Sequence, residues 1–185
     1  MMRATELAHA MVLPALYDGA WVVDATVGNG HDTVWLAGVV RPTGRVFGFD
    51  IQAAALQRAG VAVRGMEHVC LVEAGHERMA ELLPHEARGR IAAVMFNLGY
   101  LPGADKGLTT QTETTLSALS QAIEVVAVGG VVSVIVYPGH EGGAAEADAV
   151  RAWAQALPGA YTASIHARIN ARTAAPELIL VKRVR

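Results

Sequence analysis

The sequence predicts an α/β fold: a mostly parallel sheet with helices on both faces. Two observations carry this. Strand-like apolar segments alternate with helix-like segments along the chain, and the first of these strands runs through a glycine turn into a helix, as in WVVDATVGNG at 21–30. A length of 185 residues is close to one domain by the prior of about 150 residues each, and is enough for a real core. We therefore expect a single domain over 1–185.

The start, MMRATELAHAMVLPALYDG, reads as an amphipathic helix capping the domain. Glu6 and His9 interrupt its short apolar region and no small-residue cleavage site follows, so it is not read as a leader. Trp21 to Asp24 is the first strand, His31 to Val39 a helix, Arg45 to Asp50 the second strand and Ala53 to Ala62 the next helix. Val69 to Glu73 and the continuously apolar Ile91 to Phe96 are the third and fourth strands. A long helix covers Thr112 to Val126, Gly129 and Gly130 end it, and the β-branched run Val131 to Tyr137 is a buried fifth strand. A helix from about Gly143 to Leu157 follows, then strands near Tyr161 to Arg168 and Leu178 to Val184, expected as an antiparallel pair at one side of the sheet. The longest apolar stretch, Val125 to Tyr137, is broken by glycines and falls short of the roughly 20 residues of a membrane span. The lone Cys70 permits no internal disulfide and reads as a buried, inert thiol of an intracellular, cytoplasmic protein. No His/Cys cluster has zinc spacing, so no metal is expected.

The first turn carries the chemistry. Gly28 and Gly30 can take backbone angles closed to other residues and let a ligand approach the main chain, beside the unpaired N–H groups at a helix start. Asp50 closes the next strand, GRVFGFD, where a carboxylate can accept from two ribose hydroxyls. Together they indicate an adenosine-containing ligand. Thr33 stands where a dinucleotide fingerprint has its third glycine, and Asp24 suits phosphates poorly. A cofactor with an ammonium and a sulfonium, S-adenosylmethionine, fits an acidic turn better. Two alternatives stay open: an NAD-type nucleotide binder, and a tight strand-to-helix turn with no ligand.

Ligands in such sheets bind beyond the carboxyl ends of the strands. Asp24, Asp50, His76, Asn97 and His140 all fall there. His76 is placed to touch an adenine edge or to be a solvated loop histidine. Asn97 and Tyr100 open a turn-rich loop, FNLGYLPGADK, in which an amide can orient a nucleophile without taking its proton. In the same loop Pro102 and Gly103 also suit a plain turn, and Asp105 with Lys106 a solvated pair.

Four blocks, DATVGNGHDT from Asp24, FDIQ from Phe49, FNLGYLPGADK from Phe96 and GGVVSVIVYPGH from Gly129, closely resemble a bacterial family long labelled putative rRNA methylase. Its members are understood as S-adenosylmethionine-dependent tRNA methyltransferases that convert 5-aminomethyl-2-thiouridine at the wobble position to its 5-methylaminomethyl form. The resemblance covers nearly the whole chain. It implies a Rossmann-like class I methyltransferase fold, with a seven-stranded sheet whose last strand is antiparallel, the tRNA anticodon stem-loop as partner, and a homodimer. By the same resemblance Asp24, Gly28, Asn29, Gly30, Asp32, Asp50, Gln52 and His76 would bind the cofactor, and Asn97, Tyr100, Asp105 and His140 would face the substrate.

The chain departs from that pattern before its last strand. Relatives carry an asparagine- and proline-rich segment there, whereas Asn170 is followed by ARTAAPEL with only Pro176 kept. A net charge of -2 is not that of a generic nucleic-acid binder. Arg168, Arg172, Lys182, Arg183 and Arg185 cluster near the C-terminus, either as a basic patch or as a solubilising edge. Tyr100 and Tyr137 are the few aromatics available for stacking a base. The expected reaction is direct displacement at the sulfonium methyl by a primary amine, with Asn97 and Tyr100 orienting the nitrogen and Asp105 or His140 accepting its proton. A methyltransferase of the same fold acting on rRNA, a protein or a small amine is the alternative.

Overall fold

The computed structural model describes residues 2–99, 110–139, 142–171 and 173–185. The chain order is α1 (Ala4–Val12), β1 (Trp21–Asp24), α2 (His31–Val40), β2 (Arg45–Asp50), α3 (Ala53–Ala62), β3 (Val69–Glu73), the single-turn α4 (Met79–Leu82), β4 (Ile91–Asn97), α5 (Thr112–Val125), β5 (Val126–Val136), α6 (Gly143–Gln155), β6 (Tyr161–His166) and β7 (Glu177–Arg183). One seven-stranded sheet runs β3-β2-β1-β4-β5-β7-β6. The pairs β2–β3, β1–β2, β1–β4 and β4–β5 are parallel, and β7 is antiparallel to both β5 and β6. This is the sheet that the resemblance implies, with its last strand reversed.

The pleat sorts the strands' apolar side chains into two cores. Trp21, Val23, Phe47, Phe49, Val94 and Phe96 face one way, where Leu119, Ala122 and Val150 of α5 and α6 cover them. Val22, Val46, Ala93, Met95 and Ile135 face the other way, under Val12 of α1 and Leu36 and Val40 of α2. The amphipathic first helix therefore caps the sheet, with Ala8 and Val12 fully buried. Its start is tied by Glu6, whose Oε2 accepts the Arg3 backbone N–H at 2.8 Å. No helix among the described residues is long and apolar enough to cross a membrane.

Two expectations need correction. The fifth strand begins at Val126, directly after α5, and contains Gly129 and Gly130. Ile91 faces Val126 while Ala93 faces Val131, so the glycines sit in a bulge against β4. A Cβ on Gly130 would lie 2.8 Å from Val126 Cγ2 and 2.9 Å from the Ala92 carbonyl oxygen, which is why glycine stands there. Cys70 is exposed rather than buried, because β3 is an edge strand and Cys70 lies on its open side.

Strand order also positions the site. β1 lies centrally between β2 and β4, so the carboxyl ends of three adjacent strands bring Asp24, Asp50 and Asn97 to one edge of the sheet.

Candidate active site

The turn after β1 is held from both sides. The Ala25 N–H donates to the Met95 carbonyl at 2.8 Å and the Val27 N–H to the Phe49 carbonyl at 3.1 Å. Gly28 and Gly30 take φ of 52° and 81°, the left-handed region that glycine enters without a Cβ penalty. A Cβ on Gly30 would lie 3.0 Å from Ala59 Cβ, so this glycine also lets α3 approach. Asp50 ties the turn to β2: its Oδ2 accepts the Gly28 N–H and its Oδ1 the Gln52 N–H, both at 2.8 Å.

Asp24 is turned into the protein and is fully buried. Its Oδ2 accepts the Thr33 hydroxyl at 2.5 Å and its Oδ1 the Thr26 N–H at 3.1 Å. Burial, reinforced by the negative charge of Asp32, pushes its pKa up to about 7. Thr33, the residue that replaces a third glycine, thus supplies the hydroxyl that satisfies a buried acid.

Beyond the strand ends lies a cleft of about 820 Å³. Gly28, Asn29, Asp32, Asp50, Gln52, His76 and Asn97 line it. Asp24 and Gly30 are not among its lining residues; they shape the turn from behind. Tyr100, Asp105 and His140 lie outside the described residues, as does Arg172 of the basic cluster. The two residues flanking 100–109 are joined: the Gly99 N–H donates to Thr110 Oγ1 at 3.0 Å and the Thr110 N–H to the Gly99 carbonyl at 3.3 Å. Glu146, buried on α6, accepts the hydroxyls of Thr110 and Thr115 at 2.9 and 2.8 Å, fixing the start of α5 at the cleft's edge.

His76 is buried, and that burial holds its imidazole below the ordinary histidine pKa. Its Nδ1 sits 3.2 Å from the Ala25 carbonyl. A carbonyl only accepts, so Nδ1 carries the proton and Nε2 of the neutral ring is an acceptor. On the other side of β1, the Tyr137 hydroxyl donates to Asn97 Oδ1 at 2.8 Å, which fixes the way the amide faces. Burial, with the charge of Asp32 added, raises the Tyr137 pKa.

One contributor escaped the sequence reading. His9 of α1 places Nε2 2.6 Å from Asp32 Oδ1 and stacks on Trp35 with ring centroids 3.9 Å apart. Its one sequence signal is a polar interruption in an apolar helix face. Tyr137, one of the few aromatics available for stacking a base, is also a hydrogen-bond partner of Asn97. Ala174 and Pro176, from the connection between β6 and β7, also line the cleft.

The donor set constrains the ligand. Asp32, Asp50 and Glu77 line the cleft, and no lysine or arginine does among the described residues. Such a site suits a cation and offers no counter-charge to a pyrophosphate.

The model of the family described as "Putative rRNA methylase" matches residues 46–182. A chloroplastic tRNA (mnm5s2U34)-methyltransferase of Arabidopsis thaliana is 39% identical over 167 residues, 84% of this chain, and the chain spans 60% of that protein's length. A putative rRNA methylase from Clostridium thermocellum superposes with a TM-score of 0.93 at 33% identity, covering 99% of this chain and 98% of that one. A putative methyltransferase from Streptococcus mutans, solved in complex with S-adenosylhomocysteine (SAH), superposes with a TM-score of 0.88 at 30% identity and covers 99% of each chain.

Proposed function

This chain belongs to the putative rRNA methylase family, and we infer that it methylates the primary amine of a 5-aminomethyl-2-thiouridine at the tRNA wobble position. Its cofactor is S-adenosylmethionine, which when bound supplies an electrophilic methyl group on a positively charged sulfur. The observation that carries the reading is the charge of the cleft. Three carboxylates and no lysine or arginine among the described lining residues suit two cations together, a sulfonium cofactor and an ammonium substrate. The phosphates of the RNA stay outside such a cleft. The 39% identity to a wobble-uridine methyltransferase supports the choice of amine.

The residues divide by strand. Asp50, held at the end of β2 by the Gly28 and Gln52 N–H groups, keeps acceptor capacity on both oxygens for the two ribose hydroxyls. Neutral His76 offers Nε2 to the adenine amino group. Asn97, fixed by Tyr137, orients the attacking nitrogen, and positioning of this kind can contribute about 7 to 11 kcal/mol. Tyr100, Asp105 and His140 complete the substrate side in this reading. In this reading the chain acts as one domain, as a homodimer and in the cytoplasm.

Deleting the gene and digesting bulk tRNA for nucleoside mass spectrometry tests the reading. The expected result is loss of 5-methylaminomethyl-2-thiouridine with accumulation of the 5-aminomethyl form. Unchanged tRNA with a missing methyl group in rRNA would overturn it.

A further inference from the structure

Asp32 stands in the first turn of α2 and lines the cleft. Asp50 closes β2 on one side of β1, whereas Asn97 closes β4 on the other and is bonded to Tyr137 beyond β5. Asp32, Asn97 and Tyr137 all line the cleft, and the negative charge of Asp32 adds to the burial that raises the Tyr137 pKa.

It is also a prepared carboxylate. Asp32 and Trp35 lie three residues apart on α2 and so share a face. His9 lies against both, stacked nearly parallel to the Trp35 ring with an interplanar angle of 3° and with Nε2 2.6 Å from Asp32 Oδ1. Only about a tenth of the Asp32 side chain is exposed, against 24% for His9. Oδ1 is thus occupied from behind, while Oδ2 makes no hydrogen bond among the described residues and belongs to a residue of the cleft wall.

We propose that Asp32 receives the substrate's ammonium group and takes its proton, and that His9 is the positioning residue that holds the carboxylate for this task. The inference rests on the amine-methylation reading above and deepens it. A primary ammonium has no lone pair and must lose a proton before it attacks. The N–H bond breaks with its electron pair left on nitrogen, and an O–H bond forms at Asp32 Oδ2. The neutral amine then holds the lone pair that the reaction requires, and the proton leaves Asp32 for solvent after turnover. A nearby opposite charge strengthens capture of the ammonium form, which is the form abundant near neutral pH.

The test separates substrate from cofactor. The full-length protein is saturated with SAH, so that no transfer occurs. It is then titrated with two synthetic anticodon stem-loops that differ only in the aminomethyl group on the wobble base. The wild type is expected to prefer the amine-bearing stem-loop by about tenfold or more. Asp32, which the resemblance would give to the cofactor, is assigned to the amine instead, so Asp32→Asn should reduce that preference to less than about twofold while leaving affinity for SAH and for the amine-free stem-loop unchanged. His9→Phe keeps the stack on Trp35 but removes the Nε2 bond, and should lose about half of the preference on a logarithmic scale. If Asp32→Asn keeps the preference and weakens SAH binding instead, the carboxylate serves the cofactor and the inference is overturned alone. A wild type with no amine preference overturns it together with the reading beneath it.

Discussion

The Oδ2 atom of Asp50 accepts the Gly28 N–H at 2.8 Å, so the end of β2 and the glycine turn after β1 are one rigid unit. The other oxygen holds the Gln52 N–H at the same distance. Asp50→Ala removes both bonds and, in the proposed function, the acceptor for the ribose. We expect SAH affinity to fall by about 30-fold or more and unfolding free energy by about 2 kcal/mol. Titration calorimetry and urea denaturation measure the two effects, and Asp50→Asn should fall between.

Asp24 makes stability depend on pH. Its pKa rises from 3.8 to about 7 on folding, so between those values the folded protein binds the proton more tightly than the unfolded chain. The contribution is complete below about pH 4, declines as pH rises towards about 7 and is constant above, with a total of about 4 kcal/mol at most. Urea midpoints at pH 5 and pH 8 should show the wild type weaker at pH 8. Asp24→Asn keeps an acceptor for Thr26 and should flatten that difference.

Tyr137 donates its hydroxyl to Asn97, and in the proposed function it acts through that amide. In Tyr137→Phe the 2.8 Å bond to Asn97 Oδ1 is lost and the amide is free to turn. Turnover should drop by about 10- to 100-fold with SAH affinity unchanged. Equal losses in turnover and SAH affinity would place Tyr137 at the cofactor instead.

Two glycines of α2 and its turn should respond oppositely to alanine. Gly30 has φ 81° and its added Cβ would meet Ala59 Cβ at 3.0 Å, whereas a Cβ on Gly38 meets nothing within 4 Å. Gly30→Ala should cost about 2 kcal/mol or more, and Gly38→Ala should stabilise by up to about 1 kcal/mol. Thermal denaturation of the two variants tests the contrast.

Local pattern was enough for most of the fold. The first three strands and α3 have the limits that the apolar runs and turn residues imply, because the strands end on the acids Asp24, Asp50 and Glu73 and α3 is entered from Gln52. β5 was misjudged at its start because paired glycines signal a helix stop and a bulge equally well, and only the facing β4 backbone distinguishes them. Cys70 was misjudged because an apolar run does not say which strand lies at a sheet edge. In the site, the glycine turn and Asp50 were legible from spacing alone. The inward turn of Asp24 was not, since it depends on Thr33, nine residues on in the first turn of α2, donating its hydroxyl back to the carboxylate. The pair of His9 and Asp32 is formed across 23 residues of chain, and nothing local to either residue announces it.

The central claim is amine methylation in an acidic cleft, and the most direct measurement is transfer in vitro. The purified protein is incubated with S-adenosylmethionine carrying a labelled methyl group and a synthetic anticodon stem-loop bearing 5-aminomethyl-2-thiouridine. The account predicts one methyl per stem-loop, recovered as 5-methylaminomethyl-2-thiouridine, and none on a stem-loop whose wobble uridine lacks the amine. Label on both stem-loops, or on ribosomal RNA and neither, would contradict it.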